Sequence, residues 1–545
     1  MAKPKLATIP AAQGTKFYSV LPSDGVGDFD FTRNSSATRI APTGFIQEVG
    51  AFGSDVLNGY NFTNGYSAYP SSSIDSATSF TSLSGGGGVR PNSDVLSSGK
   101  TYTCSLAGTV STGNISLLQY DGAGAYSTPF SGTFDETFQF TQTGSHNNFW
   151  LRNDSAATTT ITKFTIKEVV GNKSRLNYDL LNGKVVNCPH YLLEPARTNL
   201  VAYSEDFSNA AWTKSNSSIT SNSVISPDGT LNADKIIPNA TALVNKYIYI
   251  IPTTLNGIDY SLTVFAKEGE YNMLRLEDGN NSQGAWFDLS NGTLGTVGVS
   301  VDAKIQNYGN GWYKCSITKP SVSTNVFFVI AVSNTESIQV GDGTSGAYIY
   351  GAQLEQGSYP TSYIPTNGTA ITRAAETANG SGDAATFNDS EGVLYCEAST
   401  FIETTDNRII GLSDGTFSNR ISITFHSTLN RLQVYSNKAN ATLFNMEYLN
   451  ATKTHSNKIA VVYSNSIAKI YFNGILVDTD TPAGSMYPIG TLSELAFDNA
   501  GGNRFIGKTK ELQYFDSVLT DAQLETLTSW TSLQEMITSQ LYTNY

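Results

Sequence analysis

Glu194-Pro195-Ala196-Arg197-Thr198-Asn199-Leu200, followed at once by Ser204-Glu205-Asp206-Phe207-Ser208-Asn209-Ala210-Ala211-Trp212, is a junction. Before it lies a region of short hairpins punctuated by Gly and Asn. After it a β-rich stretch runs to Gly351-Ala352-Gln353-Leu354-Glu355-Gln356-Gly357-Ser358-Tyr359-Pro360-Thr361-Ser362-Tyr363 without a catalytic motif. Alternation of apolar and polar residues in Tyr260–Val264, in Arg420–Phe425 and in Lys469–Phe472, separated by turns of Asn, Asp and Gly, makes the chain mostly β. Asn182-Gly183 and Asn473-Gly474 sit between apolar runs, where both central residues of a tight hairpin turn must accept positive φ.

Working outward, residues 51–170 and the stretch after the junction share one plan. Each opens on an Asn/Phe segment (Tyr60-Asn61-Phe62-Thr63-Asn64-Gly65-Tyr66; Phe207-Ser208-Asn209-Ala210-Ala211-Trp212), continues with an alternating strand (Lys100–Leu106; Asp259–Val264) and ends on a strand followed by Lys167-Glu168 or Leu354-Glu355. Many short strands at this length predict β-sandwiches or jelly rolls. Strands expected at Val393–Ala398, Ile409–Leu412, Ile421–His426, Leu432–Tyr435, Ile459–Tyr463 and Ala468–Phe472 predict a third sandwich. Thr520-Asp521-Ala522-Gln523 fits a capping box, and Leu524, Leu527, Trp530, Leu533, Ile537 and Leu541 recur at spacings of three and four, so a short amphipathic helical segment should close the chain with its apolar side on the sandwich. The fold class expected is all-β: serial β-sandwich (jelly-roll) domains with a short C-terminal helical segment.

The 545 residues exceed what one core serves. Charged residues make up only 14%, with 11% aromatics and a net charge of −13, the profile of a β-protein whose surface is solvated by hydroxyls and amides. No basic cluster offers nucleic acid or an anionic membrane a foothold. No apolar run is long enough for a signal core or a span, so a soluble protein made in the cytoplasm, without membrane insertion, is expected. Cys104, Cys188, Cys315 and Cys396 are scattered singly and read as small buried apolar residues rather than zinc ligands or a disulfide framework.

Beyond the periodicity, Phe29-Asp30-Phe31-Thr32-Arg33 with Ser36-Ala37-Thr38-Arg39, then Gly44-Phe45-Ile46-Gln47, Arg175-Leu176-Asn177-Tyr178-Asp179 and Leu192–Leu200 resemble the opening of a family of bacteriophage tail-fibre and virion surface proteins. In that family the pieces run on without interruption. Here residues 51–170 intervene between Gln47 and Arg175, which implies a split β-hairpin domain (27–50 plus 171–200) with a jelly roll inserted in it, preceded by an attachment arm over residues 1–26. The segment 201–375, with Asn310-Gly311-Trp312-Tyr313-Lys314-Cys315, is similar to the carbohydrate-binding jelly rolls of such fibres. The segment 376–545, with Ile470-Tyr471-Phe472-Asn473-Gly474 and Phe515–Leu524, resembles the laminin-G/concanavalin-like sandwich. The resemblance implies a virion surface location, other virion proteins as partners, a homotrimer and attachment to host surface glycans; the alternative it leaves open is a purely architectural capsid decoration or head fibre. It implies no cofactor beyond a structural calcium ion, for which Glu205, Asp206, Asp234 and Glu355 are the oxygen donors to inspect.

Strand alternation sorts residues by face. With Leu274, Leu276, Phe287 and Leu289 inward, Tyr271, Arg275, Glu277, Trp286 and Asp288 stand opposite; Trp312, Lys314 and Ser316 are expected on the same face, and Trp150 and Arg152 stand outward where Phe149 and Leu151 go in. Rings stack on the C–H faces of sugars while Arg and carboxylates take the hydroxyls, so these are the candidate carbohydrate-binding residues; the competing reading is that the rings cover a second sandwich face. Hydrolysis would need two carboxylates across a scissile bond, and residues 385–545 carry no Glu-x-Asp-x-Glu series; His146, His190, His426 and His455 stand beside no Ser or Cys elbow. A non-enzymatic protein is expected.

Overall fold

The computed structural model describes residues 3–13, 15–50, 52–120, 124–143, 146–169, 173–186, 188–241, 246–401, 406–428 and 430–532. Strands account for nearly all of its regular structure, with one helix among the described residues, Asp521–Thr528. Residues 52–169 form a nine-stranded sheet of their own. Its spine is the strand Thr101–Gln119, which pairs with Phe130–Thr141 on one side and with Ala157–Val169 on the other, and carries Phe149–Asn153 on its distal half. The register breaks between Thr109 and Asn114, where Gly113 takes φ +65°, so one strand passes through both layers. The two layers close over a core of aromatic rings, Phe62, Phe80, Phe149 and Phe164 among them.

After the junction the plan differs: two separate six-stranded sheets face each other. One runs in the order Thr213–Ser215, Tyr247–Ile250, Phe328–Ser333, Met273–Asp278, Gln283–Asp288, Thr293–Val297; the other in the order Ser217–Ile225, Leu231–Pro238, Ala347–Gln356, Asp259–Lys267, Trp312–Pro320, Asp302–Gly309. The internal similarity of the two segments therefore does not extend to strand order, because the second has no strand long enough to serve both layers.

A five-stranded sheet (Arg408–Ser413, Arg420–Phe425, Leu432–Lys438, Ala441–Tyr448, Glu494–Ala496) and an eight-stranded one enclose the third core. The eight-stranded sheet contains Glu391–Thr400, Asn457–Ser464, Ala468–Phe472, Ile475–Asp480 and Gly507–Phe515, and then continues into the junction: His190–Leu193 pairs with the first part of Gly507–Phe515, and Leu6–Thr8 with its last part. Leu6, Phe17, Phe29 and Phe31 lie in the same buried cluster as Leu394, Ile410 and Leu512. Within the segment 1–26, expected as an attachment arm, Leu6–Thr8 is built into the C-terminal sheet; a three-residue strand is too short to show alternation. Thr520 caps the helix, its Oγ1 accepting from the Gln523 backbone while Gln523 reaches back to the Thr520 backbone. Leu524 and Leu527 seat the helix against Val393, Val462 and Tyr471; Leu533, Ile537 and Leu541 lie outside the described residues. Asn182-Gly183 and Asn473-Gly474 all take positive φ, as a tight turn between paired strands requires.

At the centre the motif residues of the junction converge. Arg33, Arg175 and Arg373 meet Glu194 and Glu376, all five side chains at 0–1% exposure. Arg33 Nη1 lies 2.6 Å from Glu376 Oε1, Arg175 Nη2 2.8 Å from Glu194 Oε2 and Arg373 Nη1 3.0 Å from Glu194 Oε2; Arg175 Nη2 also pairs with Glu376. Backbone groups complete the set: the Glu194 amide donates to Glu376 Oε2, and Arg175 Nη1 donates to the Thr38 carbonyl. Burial by itself raises the Glu194 carboxyl, but Arg373 and then Arg175 overcome that and hold it well below the usual carboxylate range. The opening segment, its continuation after residue 170, the junction and the segment that leads into the third sandwich are tied through one polar knot.

Candidate functional site

On the outer face of the second sandwich the structure brings Arg275, Glu277 and Trp286 together. Arg275 Nε pairs with Glu277 Oε2, its Nη2 donates to the Ser282 carbonyl at 3.2 Å, and the guanidinium lies 5.4 Å from the Trp286 ring centroid. The alternation is as read, with Leu274, Leu276, Phe287 and Leu289 in the core. Three residues of the expected face are not open to a ligand. Trp286 is only 5% exposed, closed over by Arg275. Tyr271 packs against the core cluster, because the strand starts at Met273 and alternation does not reach back to it. Asp288 is occupied as a turn acceptor for the Ser290 amide and hydroxyl and for Asn272 and Asn291.

Trp312, Lys314 and Ser316 are placed elsewhere, on a strand of the opposite sheet. Trp312 is buried with Ile46, Phe265, Tyr350 and Tyr363 under the hairpin Ala37–Ile40/Ile46–Val49, and its indole Nε1 donates to the Ile225 carbonyl at 3.1 Å. Lys314 Nζ donates to the Thr361 carbonyl, and burial pushes its ammonium down to about 8. Trp312, packed with Ile46, holds the sandwich to the hairpin.

The first sandwich presents a different face. Phe149 and Leu151 go inward and Trp150 and Arg152 outward, as alternation requires. Around Trp150 the structure adds residues the sequence reading missed: the Arg90 guanidinium lies 4.1 Å from the Trp150 ring, 4.2 Å from Tyr69 and 4.6 Å from Tyr120, and Arg152 lies 5.1 Å from the same indole. Tyr69 meets the indole edge-on at 6.0 Å and His146 lies 5.1 Å from Tyr120. Trp150 is 7% exposed and so is not an open platform by itself; Tyr69, 50% exposed, is the ring that faces out. Gly88 permits the packing, since a Cβ there would meet the indole nitrogen at 2.9 Å and the Leu151 carbonyl at 2.1 Å. Among the described residues neither the Nε of Arg90 nor the Nε1 of Trp150 has a hydrogen-bond acceptor.

A cleft of about 1370 Å³ separates the first and second sandwiches. Its lining holds Glu48, Asp135, Glu136, Glu205, Asp206, Asp228 and Asp234, and neither Lys, Arg nor His. Burial pushes the Glu205 carboxyl up to about 7 and the Asp234 carboxyl up to about 6; Glu136 is raised by burial and by Asp206 across the cleft. Of the four oxygen donors considered for calcium, Glu205 accepts from the Tyr350 and Tyr363 hydroxyls, Asp234 from the Phe207 and Asn222 amides, and Glu355, on the far side of the strand, from Gln353 and Thr361. No three His, Cys, Asp or Glu side chains among the described residues are grouped so as to hold a metal ion. In the third sandwich Glu397 stands opposite Glu511 on neighbouring strands, but Glu397 is taken by Ser456 and by Lys510 at 3.3 Å, and Glu511 by Gln513. No helix among the described residues is long and apolar enough to cross a membrane.

No family model matches the sequence, and no curated protein matches it. Among solved structures, the chain is similar to Ruminococcus gnavus IT-sialidase CBM40 bound to alpha2,3 sialyllactose at 15% identity, over 27% of this chain and 92% of that one, with a TM-score of 0.24. It is similar to the NanB sialidase from Streptococcus pneumoniae in complex with 2-[(3-chlorobenzyl)ammonio]ethanesulfonate at 16% identity, over 28% of this chain and 26% of that one, with a TM-score of 0.23. The N-terminal CBM22-1-CBM22-2 tandem domain from Paenibacillus barcinonensis Xyn10C matches at 12% identity over 57% of this chain and 98% of that one, with a TM-score of 0.20. Scores this low carry no function across to the chain.

Proposed function

We propose that the chain is a non-enzymatic bacteriophage virion surface protein, a tail fibre or similar appendage, that attaches to host-cell glycans through the outer face of its first sandwich. The motif resemblance at Arg33, Arg175 and Leu192–Leu200 supports the virion reading. The observation that carries the glycan reading is the grouping of Tyr69, Tyr120 and Trp150 with two arginines on one sheet face, with Tyr69 half exposed. Apolar ring faces beside planar hydrogen-bond donors suit a ligand that is apolar on one face and hydroxylated at its rim. A homotrimer repeated around a particle would turn a weak single site into firm attachment.

The test is a glycan array probed with the full chain, with Tyr69→Ala and with the exposed control Ser218→Ala. Loss of one stacking ring should weaken binding roughly three- to tenfold, while the control binds as the parent does. The second reading, an architectural capsid decoration or head fibre, draws on the closure of Trp286 and Trp312 and on the buried knot that braces the domains. Silence of the parent chain across bacterial polysaccharides would favour it.

A further inference from the structure

We infer that the Arg90–Trp150 face of the first sandwich takes an anionic sugar, a residue bearing a carboxylate such as a uronic acid, rather than a neutral one. This rests on the glycan-binding reading above and narrows it. The Arg90 and Arg152 guanidiniums both contact one indole, at 4.1 and 5.1 Å, and neither has a carboxylate partner among the described residues. Arg275 over Trp286 is paired with Glu277 and Arg33 over Phe31 with Glu376, while Arg420 over Phe417 and Tyr435 donates to the Phe417 carbonyl. In a chain of net charge −13, two like charges left together without an acid cost free energy, and an arriving carboxylate removes that cost.

The unsatisfied donors point the same way. Trp150 is more than nine-tenths buried with its indole N–H unpaired, and Arg90 Nε is buried and unpaired. The Nε–H is one of the donors with which a guanidinium grips a carboxylate side-on through two parallel bonds, and at Arg90 it is unused beside the unused indole N–H. Tyr69, the exposed ring over Arg90, is the side chain with room to turn and admit the ligand. The overall negative charge repels polyanions at long range, so capture has to come from these short-range contacts and not from bulk attraction.

The experiment measures binding of the full chain to polygalacturonate, to the same polymer after reduction of its carboxyl groups, and to dextran sulfate, with Arg152→Gln and Tyr69→Ala as variants. Polygalacturonate should bind, its carboxyl-reduced form at least roughly tenfold more weakly, and Arg152→Gln should lose a similar factor, the worth of one charge-assisted hydrogen bond. Equal binding of the native and reduced polymers, both lost on Tyr69→Ala, would overturn the anionic preference and leave the glycan reading standing. Dextran sulfate binding as tightly as polygalacturonate and indifferent to Tyr69→Ala would mean charge adsorption only and would also overturn it. If neither these polymers nor the array glycans bind, both readings fall. The comparison of native with reduced polymer needs no variant, so it decides the matter even if a substitution disturbs folding.

Discussion

Replacing Glu376 by Gln tests whether the buried knot braces the molecule. Glu376 is fully buried and accepts from Arg33 Nη1 at 2.6 Å, from Arg175 Nε at 2.8 Å and from the Glu194 amide at 2.9 Å. Gln keeps the shape and most of the volume but removes the charge, leaving the three guanidiniums of Arg33, Arg175 and Arg373 to one carboxylate, Glu194. Breaking a buried pair from one side leaves an uncompensated charge out of water and typically costs about 3–5 kcal/mol, whereas an exposed pair is worth at most about 1 kcal/mol. Asp302→Asn, which removes the partner of Lys304 in a pair 37% and 59% exposed, is the matched control. Because the knot joins the opening segment and the junction to the strand that enters the third sandwich, the loss should appear in calorimetry as earlier melting and as separation of one broad transition into several, each sandwich keeping its own apolar core. A Glu376→Gln trace that overlays that of Asp302→Asn would refute the reasoning. The figure measures imbalance and not the net worth of the knot, since an all-apolar replacement of the five residues escapes the penalty.

Two further outcomes follow from particular burials. Glu205 is raised to about 7 from 4.5 and Asp234 to about 6 from 3.8, both chiefly by burial, so the stability they lend is fully present below their unfolded values and is lost as pH rises through the folded ones. Lowering the pH from 8 to 6 should therefore raise the melting temperature of the parent relative to Glu205→Gln, by an amount equivalent to about 1 kcal/mol; His190, pulled down to about 3 by burial, acts in the opposite sense below 6.5 but equally in both proteins. A parallel pH dependence in parent and variant would contradict this. Leu6→Ala should cost about 2–5 kcal/mol and lower hydrogen-exchange protection along Gly507–Phe515, since Leu6 is fully buried and its strand pairs there; unchanged protection would mean that the N-terminus does not pack as described.

What could be read from the sequence, and what could not, follows the range of the interactions. Both Asn-Gly turns and the Thr520 capping box are decided within four residues, and the structure has them as read. Alternation correctly sent Leu274 and Leu276 to the core and Arg275 and Glu277 away from it, because each strand carries its own two-fold period. What alternation does not encode is strand order, and strand order decides what covers a face that is turned away from its own core. Trp312 looked ligand-facing by period, yet the hairpin Ala37–Ile40/Ile46–Val49 lies over it; Leu6–Thr8 looked like the start of an arm, yet it pairs with residues some 500 positions later, at a separation of 504 for the Thr8–Leu512 contact. The same limit hid the Arg90 group, whose rings arrive from two separate strands and the turn after a third, and the knot, in which Arg33 and Glu376 lie 343 residues apart. In a chain of sandwiches packed on one another, an aromatic residue on the outward period is thus as often an inter-domain contact as a ligand contact: Trp312 is the first kind, and Tyr69, outward, half exposed and beside unpaired arginines, is the one that meets the requirements of the second.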